Sequence, residues 1–255
     1  MNASLSVIIP TLNNVKGLKN LLSYFKDKPY KVIVIDNKKK NLGFAGGINK
    51  GAKDIKTKWL LVLNDDIKFY DDVSINRLIE FAEKKKLAAL SPILINPRGQ
   101  VENLGYKVLP IGKVELIKSY KVHKVRKFIK SKEIDGLTAA CLLIRTDVFK
   151  KLKGFDESFF AYLEDVDFFL RFKKTDCRMA ISDNIKVLHN HMTTSKTMGN
   201  FKARQDMINW WRLYFKHKDR FEFNFQFIAE RLKNISGFLK ATFSTFFSFQ
   251  RNVHE

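Results

Sequence analysis

Four short runs of apolar, largely β-branched residues, at 5–9, 32–35, 59–63 and 88–95, are separated by stretches whose apolar residues recur at helical spacing. Strands covered by helices on both sides are apolar on both faces, and this alternation is what crossover connections produce. The order points to an α/β fold: a Rossmann-like, mostly parallel sheet flanked by helices. Pro10 stops the first strand, Asp36 closes the second, and Asn64-Asp65-Asp66 close the third. Leu18, Leu21, Leu22 and Phe25 mark the inner face of a first helix, and Ile75, Leu78, Ile79 and Ala82 that of a helix over 72–85. Residues 97–132 contain Gly99, Gly105, Pro110, Gly112 and a basic stretch at 118–132, and read as loops and edge strands. Order returns with an apolar strand at 136–144, a helix over 163–174, and a strand to Val187 that leads into His189-Asn190-His191.

With 45% hydrophobic residues in 255, the chain can bury a sizeable core despite a formal net charge of +21. That charge suits nucleic acid, an anionic membrane surface or a phosphate-bearing substrate. An AT-rich coding sequence, with its Lys, Ile, Asn and Phe, produces the same bias with no partner at all. Cys141 and Cys177 lack any C-x-x-C partner spacing, so neither a disulfide framework nor a zinc-thiolate site is indicated, and a reducing compartment fits best. Residues 1–4 do not open a signal peptide, and no window reaches ~18 uninterrupted apolar residues. The expectation is a cytoplasmic protein.

In open parallel sheets, ligands bind beyond the carboxyl ends of the strands. Asp36, Asn64-Asp65-Asp66, Glu164-Asp165-Val166-Asp167 and His189 all fall at or near such ends. Asp65 and Asp66 offer hard oxygen ligands for Mg²⁺ or Mn²⁺, although acids after strands also serve turns and caps. His189 adds a nitrogen that suits Mn²⁺, while a lone histidine is commonly structural. At ~100° per residue, Leu163, Val166 and Leu170 share one helix face, with Asp167 close to it and Asp165 on the other side. The acids must therefore divide their work. Asp167 is placed to pair with Arg171 four residues on, a role also open to Glu164. Asp165 is the first candidate for a general base and Glu164 the second, against the simpler reading that they stabilise the helix dipole. Gly43, Gly46 and Gly47 do not form G-x-G-x-x-G, and the Gly46-to-Gly51 interval is followed by Ala52-Lys53 instead of Lys-Ser/Thr. Dinucleotide binding and a Walker ATPase are thus unsupported. What remains open to this loop is to bring backbone N–H groups and a helix N-terminus to a diphosphate.

Taken in order, residues 6–13, 34–37, 41–51, 63–66 and 154–160, with the acids of 164–167, Arg171 and His189, resemble the inverting glycosyltransferases of family 2. The match is best to the rhamnosyltransferase-like branch that builds cell-surface polysaccharides, and it covers about residues 4–195. The resemblance implies a GT-A catalytic domain over 1–198 and transfer of a sugar from a UDP- or dTDP-linked donor to a hydroxyl acceptor. It implies that Pro10, Leu12 and Asp36 contact the base and ribose, and that a loop with Asn41, Gly46, Gly47 and Asn49 covers the donor. Asn64, Asp65 and Asp66 stand where the family carries its D-x-D metal motif, with Asp66 the principal Mn²⁺ or Mg²⁺ ligand. His189 resembles an additional metal or diphosphate contact, and Asp165 the catalytic base. The usual Gly/Ser/Thr-rich turn after the second strand is replaced by Asn37-Lys38-Lys39-Lys40, whose lysines suit phosphate. The implied partners are the donor and a saccharide or lipid-linked saccharide acceptor, with no nucleic acid. Two other readings compete: a nonenzymatic basic protein that binds nucleic acid or an anionic surface, and a GT-A-like nucleotidyltransferase that releases pyrophosphate. The second would be expected to carry a basic Gly-rich signature where Thr11-Leu12-Asn13-Asn14 stands.

Residues 199–255 read as a basic, aromatic helical appendage. Ile208, Trp211 and Phe215 form one stripe, and Ile228, Leu232, Ile235, Leu239, Phe243 and Phe246 another. Such stripes suit peripheral attachment to the cytoplasmic membrane face, and equally packing on the catalytic domain or on another subunit in a homo-oligomer.

Overall fold

The computed structural model describes residues 4–118, 129–130, 133–190 and 199–252. His191, most of the basic stretch at 118–132, and residue 198, where the catalytic domain was expected to end, lie outside them. The strands are β1 (Leu5–Thr11), β2 (Lys31–Asp36), β3 (Trp59–Leu63), β4 (Ile67–Phe69), β5 (Ala89–Ile95), β6 (Val101–Asn103), β7 (Tyr106–Leu109), β8 (Lys113–Leu116), β9 (Ile129–Lys130), β10 (Cys141–Arg145) and β11 (Met179–His189). The helices are α1 (Val15–Phe25), α2 (Gly43–Ala52), α3 (Ser74–Lys84), α4 (Thr146–Lys151), α5 (Glu164–Phe172), α6 (Gly199–Lys216) and α7 (Phe225–Asn252).

The main sheet runs β2-β1-β3-β10-β5-β11-β4, with β6 on β5 and β9 on β11. β2, β1, β3, β5 and β11 share one direction. β10 is inserted antiparallel between β3 and β5, so the expected parallel sheet carries one reversed strand at its centre. The apolar strand expected at 136–144 is ordered as a strand from Cys141, and residues 137–140 instead form the approach to it.

Period-2 alternation builds both layers of the core. Leu5, Val7 and Ile9 of β1, with Trp59, Leu61 and Leu63 of β3, face Leu21 and Phe25 of α1 and Ile75, Leu78 and Ala82 of α3. Their neighbours Ile8, Leu60 and Val62 face Ala45 and Ile48 of α2 and Phe168, Phe169 and Phe172 of α5. Because both faces are sealed, the charged groups gather at the strand ends, while small hydroxyls such as Ser91 are tolerated inside by bonding to backbone.

A third cluster joins the C-terminal helices to this body. Val166 and Leu170 of α5 pack with Trp210 and Leu213 of α6, Phe227 of α7, and Tyr106 and Val108 of β7. Arg231 of α7 is buried, its guanidinium lying over the Trp210 ring at 4.3 Å and donating to the Gly112 carbonyl. The outer stripe of α7 is different: Leu232, Ile235 and Leu239 are exposed, as are Phe215, Phe223 and Phe225. The side chains of Phe243 and Phe246 lie outside the described residues.

Candidate active site

The shared direction of five strands brings the carboxyl ends of β2, β1, β3 and β11 to one edge, and hydrogen bonds tie these ends together. Asp36 ends β2 in register with Thr11, which ends β1. The Thr11 hydroxyl donates to Asp65 Oδ2 at 2.6 Å. Asn14, the N-cap of α1, donates to the Asp65 carbonyl and to Oδ1, while its own Oδ1 accepts from Gly17 N–H. Burial raises the Asp65 carboxyl above its ordinary range, and the Thr11 and Asn14 bonds offset part of that rise.

Asp66 points the other way along the edge. Its backbone carbonyl accepts from Asn190 N–H at 3.0 Å, and its Oδ1 lies 3.4 Å from His189 Nε2. His189 Nδ1 lies 3.1 Å from Glu102 Oε1 of β6. Burial pushes the imidazole down, but the Asp66 and Glu102 carboxylates outweigh it and bring its pKa up to about 9.

Asp165 reaches this edge from α5. The Asn64 N–H donates to the Ala140 carbonyl, and the adjacent Ala139 N–H donates to Asp165 Oδ2 at 3.3 Å. Asp165 Oδ1 accepts from Val166 N–H at 2.8 Å. Burial raises its pKa to about 6 against these two backbone donors, which leaves a carboxylate that is ionised yet basic near neutrality. Glu164 is more deeply buried; desolvation and then the Asp165 charge push it well up, and its Oε2 has no hydrogen-bond partner among the described residues. Asp167 follows the expected pairing with Arg171, at 2.8 Å, and also holds Lys216 at 2.8 Å and His217 at 2.9 Å. Burial alone would raise its carboxyl, but these partners hold it down. The alternative pairing of Glu164 with Arg171 is not formed: Arg171 also donates to the carbonyls of Leu152 and Gly154, which turns it away.

The glycine segment needs a correction. The helix begins at Gly43, and the N–H groups of Phe44 and Ala45 donate to the Phe160 carbonyl. These first-turn donors are therefore committed to the protein and are not offered to a diphosphate. Asn41 Oδ1 accepts from Gly43 N–H, and Asn49 bonds to the backbone of Phe155 and to Glu157. Gly47 packs over Pro10, where an added Cβ would stand 3.3 Å from Pro10 Cβ, and Gly46 abuts Leu42. Leu12 is half-buried just past β1, and Asp36 is exposed with its Oδ1 accepting from Lys38 N–H.

Residues that pattern reading missed hold this edge in place: Thr11, Asn14, Glu102 and Asn209. A lone polar residue carries no periodicity, and although Thr11 and Asn14 stand in or beside the 6–13 segment, nothing local assigns a partner to any of the four. A cavity of about 770 Å³ lies at the opposite end of β3 and β10, lined by Lys58, Trp59, Glu83, Arg145 and Lys150 among others, and none of the acids of 164–167, Asp65, Asp66 or His189 lines it.

A parallel sheet with one reversed central strand, helices on both faces and carboxylates gathered at its carboxyl edge is the GT-A architecture. Residues 16–153, more than half of the chain, match the family model for Glycosyl transferase family 2, and the chain belongs to that family. It is 25% identical over 160 residues to the O-antigen biosynthesis protein RfbC of Myxococcus xanthus, covering 58% of this chain and 12% of that protein. It is 23% identical over 214 residues to the low-salt glycan biosynthesis hexosyltransferase Agl10 of Haloferax volcanii, covering 73% of this chain and 67% of the relative. It is 24% identical to the N-acetylglucosaminyl-diphospho-decaprenol L-rhamnosyltransferase of Mycobacterium tuberculosis, over 68% of this chain and 67% of the relative. The chain thus spans about an eighth of the first relative and two thirds of the other two. Among solved structures, S. aureus TarS 1-349 superposes with a TM-score of 0.52 at 15% identity, covering 94% of this chain and 72% of that one. GalNAc-T7, crystallised with UDP, GalNAc and Mn²⁺, gives 0.53 at 13% identity, over 73% of this chain and 44% of that one. These two likenesses concern the fold.

Proposed function

We propose that the protein transfers a sugar from a nucleotide diphosphate donor, UDP- or dTDP-linked, to a hydroxyl acceptor with inversion, in polysaccharide or glycolipid synthesis. One observation carries this reading: Asp65, Asp66, His189 and Asp165, scattered over 125 positions of sequence, are linked through neighbouring strand ends into one polar edge. Asp165 takes the proton of the acceptor hydroxyl as its oxygen bonds to the anomeric carbon. The bond from that carbon to the diphosphate breaks on the opposite face, and the nucleoside diphosphate departs. Pro10, Leu12 and Asp36, at the ends of β1 and β2, face the nucleoside in this reading, and Lys38–Lys40 neighbour its phosphates.

Among the described residues no cluster of three His, Cys, Asp or Glu side chains forms a ready metal cage. Asp66 nevertheless fits a divalent ion that completes its shell with substrate oxygens, its Oδ1 lying 3.4 Å from the His189 imidazole nitrogen, and His189 would join it by giving up the ring proton that the Asp66 and Glu102 carboxylates otherwise hold in place. Bound there, Mn²⁺ or Mg²⁺ supplies charge neutralisation for the departing diphosphate. A lipid-linked acceptor, of the kind named for the mycobacterial relative, agrees with the exposed apolar stripe of α7. Among the described residues no helix is long and apolar enough to cross a membrane; it is the exposed stripe of α7 that supports our reading of peripheral attachment to the cytoplasmic membrane face.

The test is a panel of UDP- and dTDP-sugars, each with and without Mn²⁺, read by thermal shift and by product analysis. Stabilisation by a donor and release of nucleoside diphosphate is the expected result. Release of pyrophosphate would instead indicate a nucleotidyltransferase, and salt-sensitive binding of nucleic acid without any donor effect would indicate a basic binding protein.

A further inference from the structure

We infer that Asn209 of α6 is a positioning residue for the catalytic helix. This deepens the transferase reading and rests on it. Asn209 is fully buried, and the two N–H groups of its amide are shared among three carbonyls, those of Phe159, Ala161 and Tyr162, at 2.9, 2.9 and 2.8 Å from Nδ2. Its Oδ1 accepts from Arg212 at 2.9 Å, which fixes the orientation of the amide. The segment it holds runs straight into Glu164 and Asp165.

That segment is held against its own backbone preference. Phe160, Tyr162 and Leu163 have φ of +55°, +68° and +65°, the left-handed region that side chains other than glycine rarely occupy. Three such residues within four positions persist only where the surroundings over-determine them. The carbonyls of 159–163 show how. Those of 159, 161 and 162 turn to Asn209, that of 160 accepts from Phe44 and Ala45 N–H of α2, and that of 163 accepts from Asp167 N–H inside α5. The segment is therefore a splint with α2 on one side, α6 on the other and the candidate base at its end. A second tie acts one turn of helix further along: His217 and Lys216, at the end of α6, clamp Asp167.

An amide nitrogen meeting three acceptors does work that neither a carboxylate nor a methyl group can do. Asn209→Asp keeps the size and replaces the donor by an oxygen that repels the three carbonyls, and Asn209→Ala removes it. We expect both to lower kcat for nucleoside diphosphate release at least 30-fold while the donor KM stays within about threefold, because the base moves and the nucleoside end of the site does not. Hydrogen exchange on full-length protein should quicken at 159–163 and, through the Phe160 carbonyl, at Phe44 and Ala45, with β1 and β3 unchanged. Asn209→Gln, which keeps the amide, should recover part of both. If the alanine variant does not fold, the aspartate and glutamine variants are compared alone. Equal kcat for wild type and Asn209→Asp, or unchanged exchange at Phe44 and Ala45, overturns the inference. Wild-type protein that releases nucleoside diphosphate from no donor removes the transferase reading instead, and the exchange measurement, which needs no donor, still decides the role of Asn209.

Discussion

His189 Nε2 lies 3.4 Å from Asp66 Oδ1, at the point where β11 and the turn after β3 meet. The two residues are 123 positions apart, and the pairing of β11 with β4 brings them together: His189 is in register with Ile67, the residue after Asp66.

Asp66 is thereby the carboxylate on which binding of a metal-diphosphate should depend. A ligand held at 100 times its Kd stabilises the native state by about 2.7 kcal/mol, which in a chain of this size raises Tm by several degrees. UDP with Mn²⁺ should raise the Tm of the wild type in this way, EDTA should abolish the rise, and Asp66→Ala should show none. An undiminished rise in Asp66→Ala removes Asp66 from the ligand set.

Asp165→Asn retains the shape of the site and loses its base. General-base catalysis is worth about 10²–10⁴ in rate, so transfer should fall by that factor while donor affinity, measured calorimetrically, changes little. Normal turnover by this variant would falsify the assignment.

The pKa of about 6 at Asp165 also sets a pH dependence of stability. The unfolded chain holds this carboxyl near its ordinary value of about 3.9, so folding penalises its ionised form. The penalty is complete above pH 6 and fades as pH falls toward 4, where both states are protonated. Asp165→Asn should accordingly melt higher than the wild type at pH 7.5, with a gap that closes between pH 6 and 4. A constant gap across that range would mean that the carboxyl is not held up by burial.

Gly43 is left-handed, at φ +69°, and a Cβ there would stand 2.3 Å from the Phe160 carbonyl oxygen. Ala loses the conformation and the space together, so Gly43→Ala should destabilise by more than about 1 kcal/mol, readable as a lower denaturant midpoint at unchanged slope. Gly99→Ala, where nothing lies within 4 Å, shares the positive φ without the clash and should cost less.

Leu232, Ile235 and Leu239 are exposed on one side of α7. Burying a leucine-sized side chain is worth about 1.5–3 kcal/mol, so replacing all three by Ser should weaken binding to anionic phospholipid vesicles at least about 100-fold. Fold and Tm should be unaffected. Flotation identical to that of the wild type would assign this stripe to something other than a lipid surface.

Much of this architecture is legible in the chain because it is local. Strand runs with acids at their ends, the helical face shared by Val166 and Leu170, and the Asp167–Arg171 pair all follow from periods of two and 3.6 residues. The antiparallel insertion of β10 is not legible in this way, since β10 is as apolar as its parallel neighbours and its direction depends on which strands it finds beside it. Nor are the partners of the site residues. Thr11 reaches Asp65 across 54 positions, Glu102 reaches His189 across 87, and Asn209 reaches Phe159 across 50. The sequence by itself determined which segments are buried and where polar groups must collect, because hydrophobic burial follows residue type. Only the tertiary structure decided which of those groups face one another, because a hydrogen bond is directional and closes only when distant elements have packed.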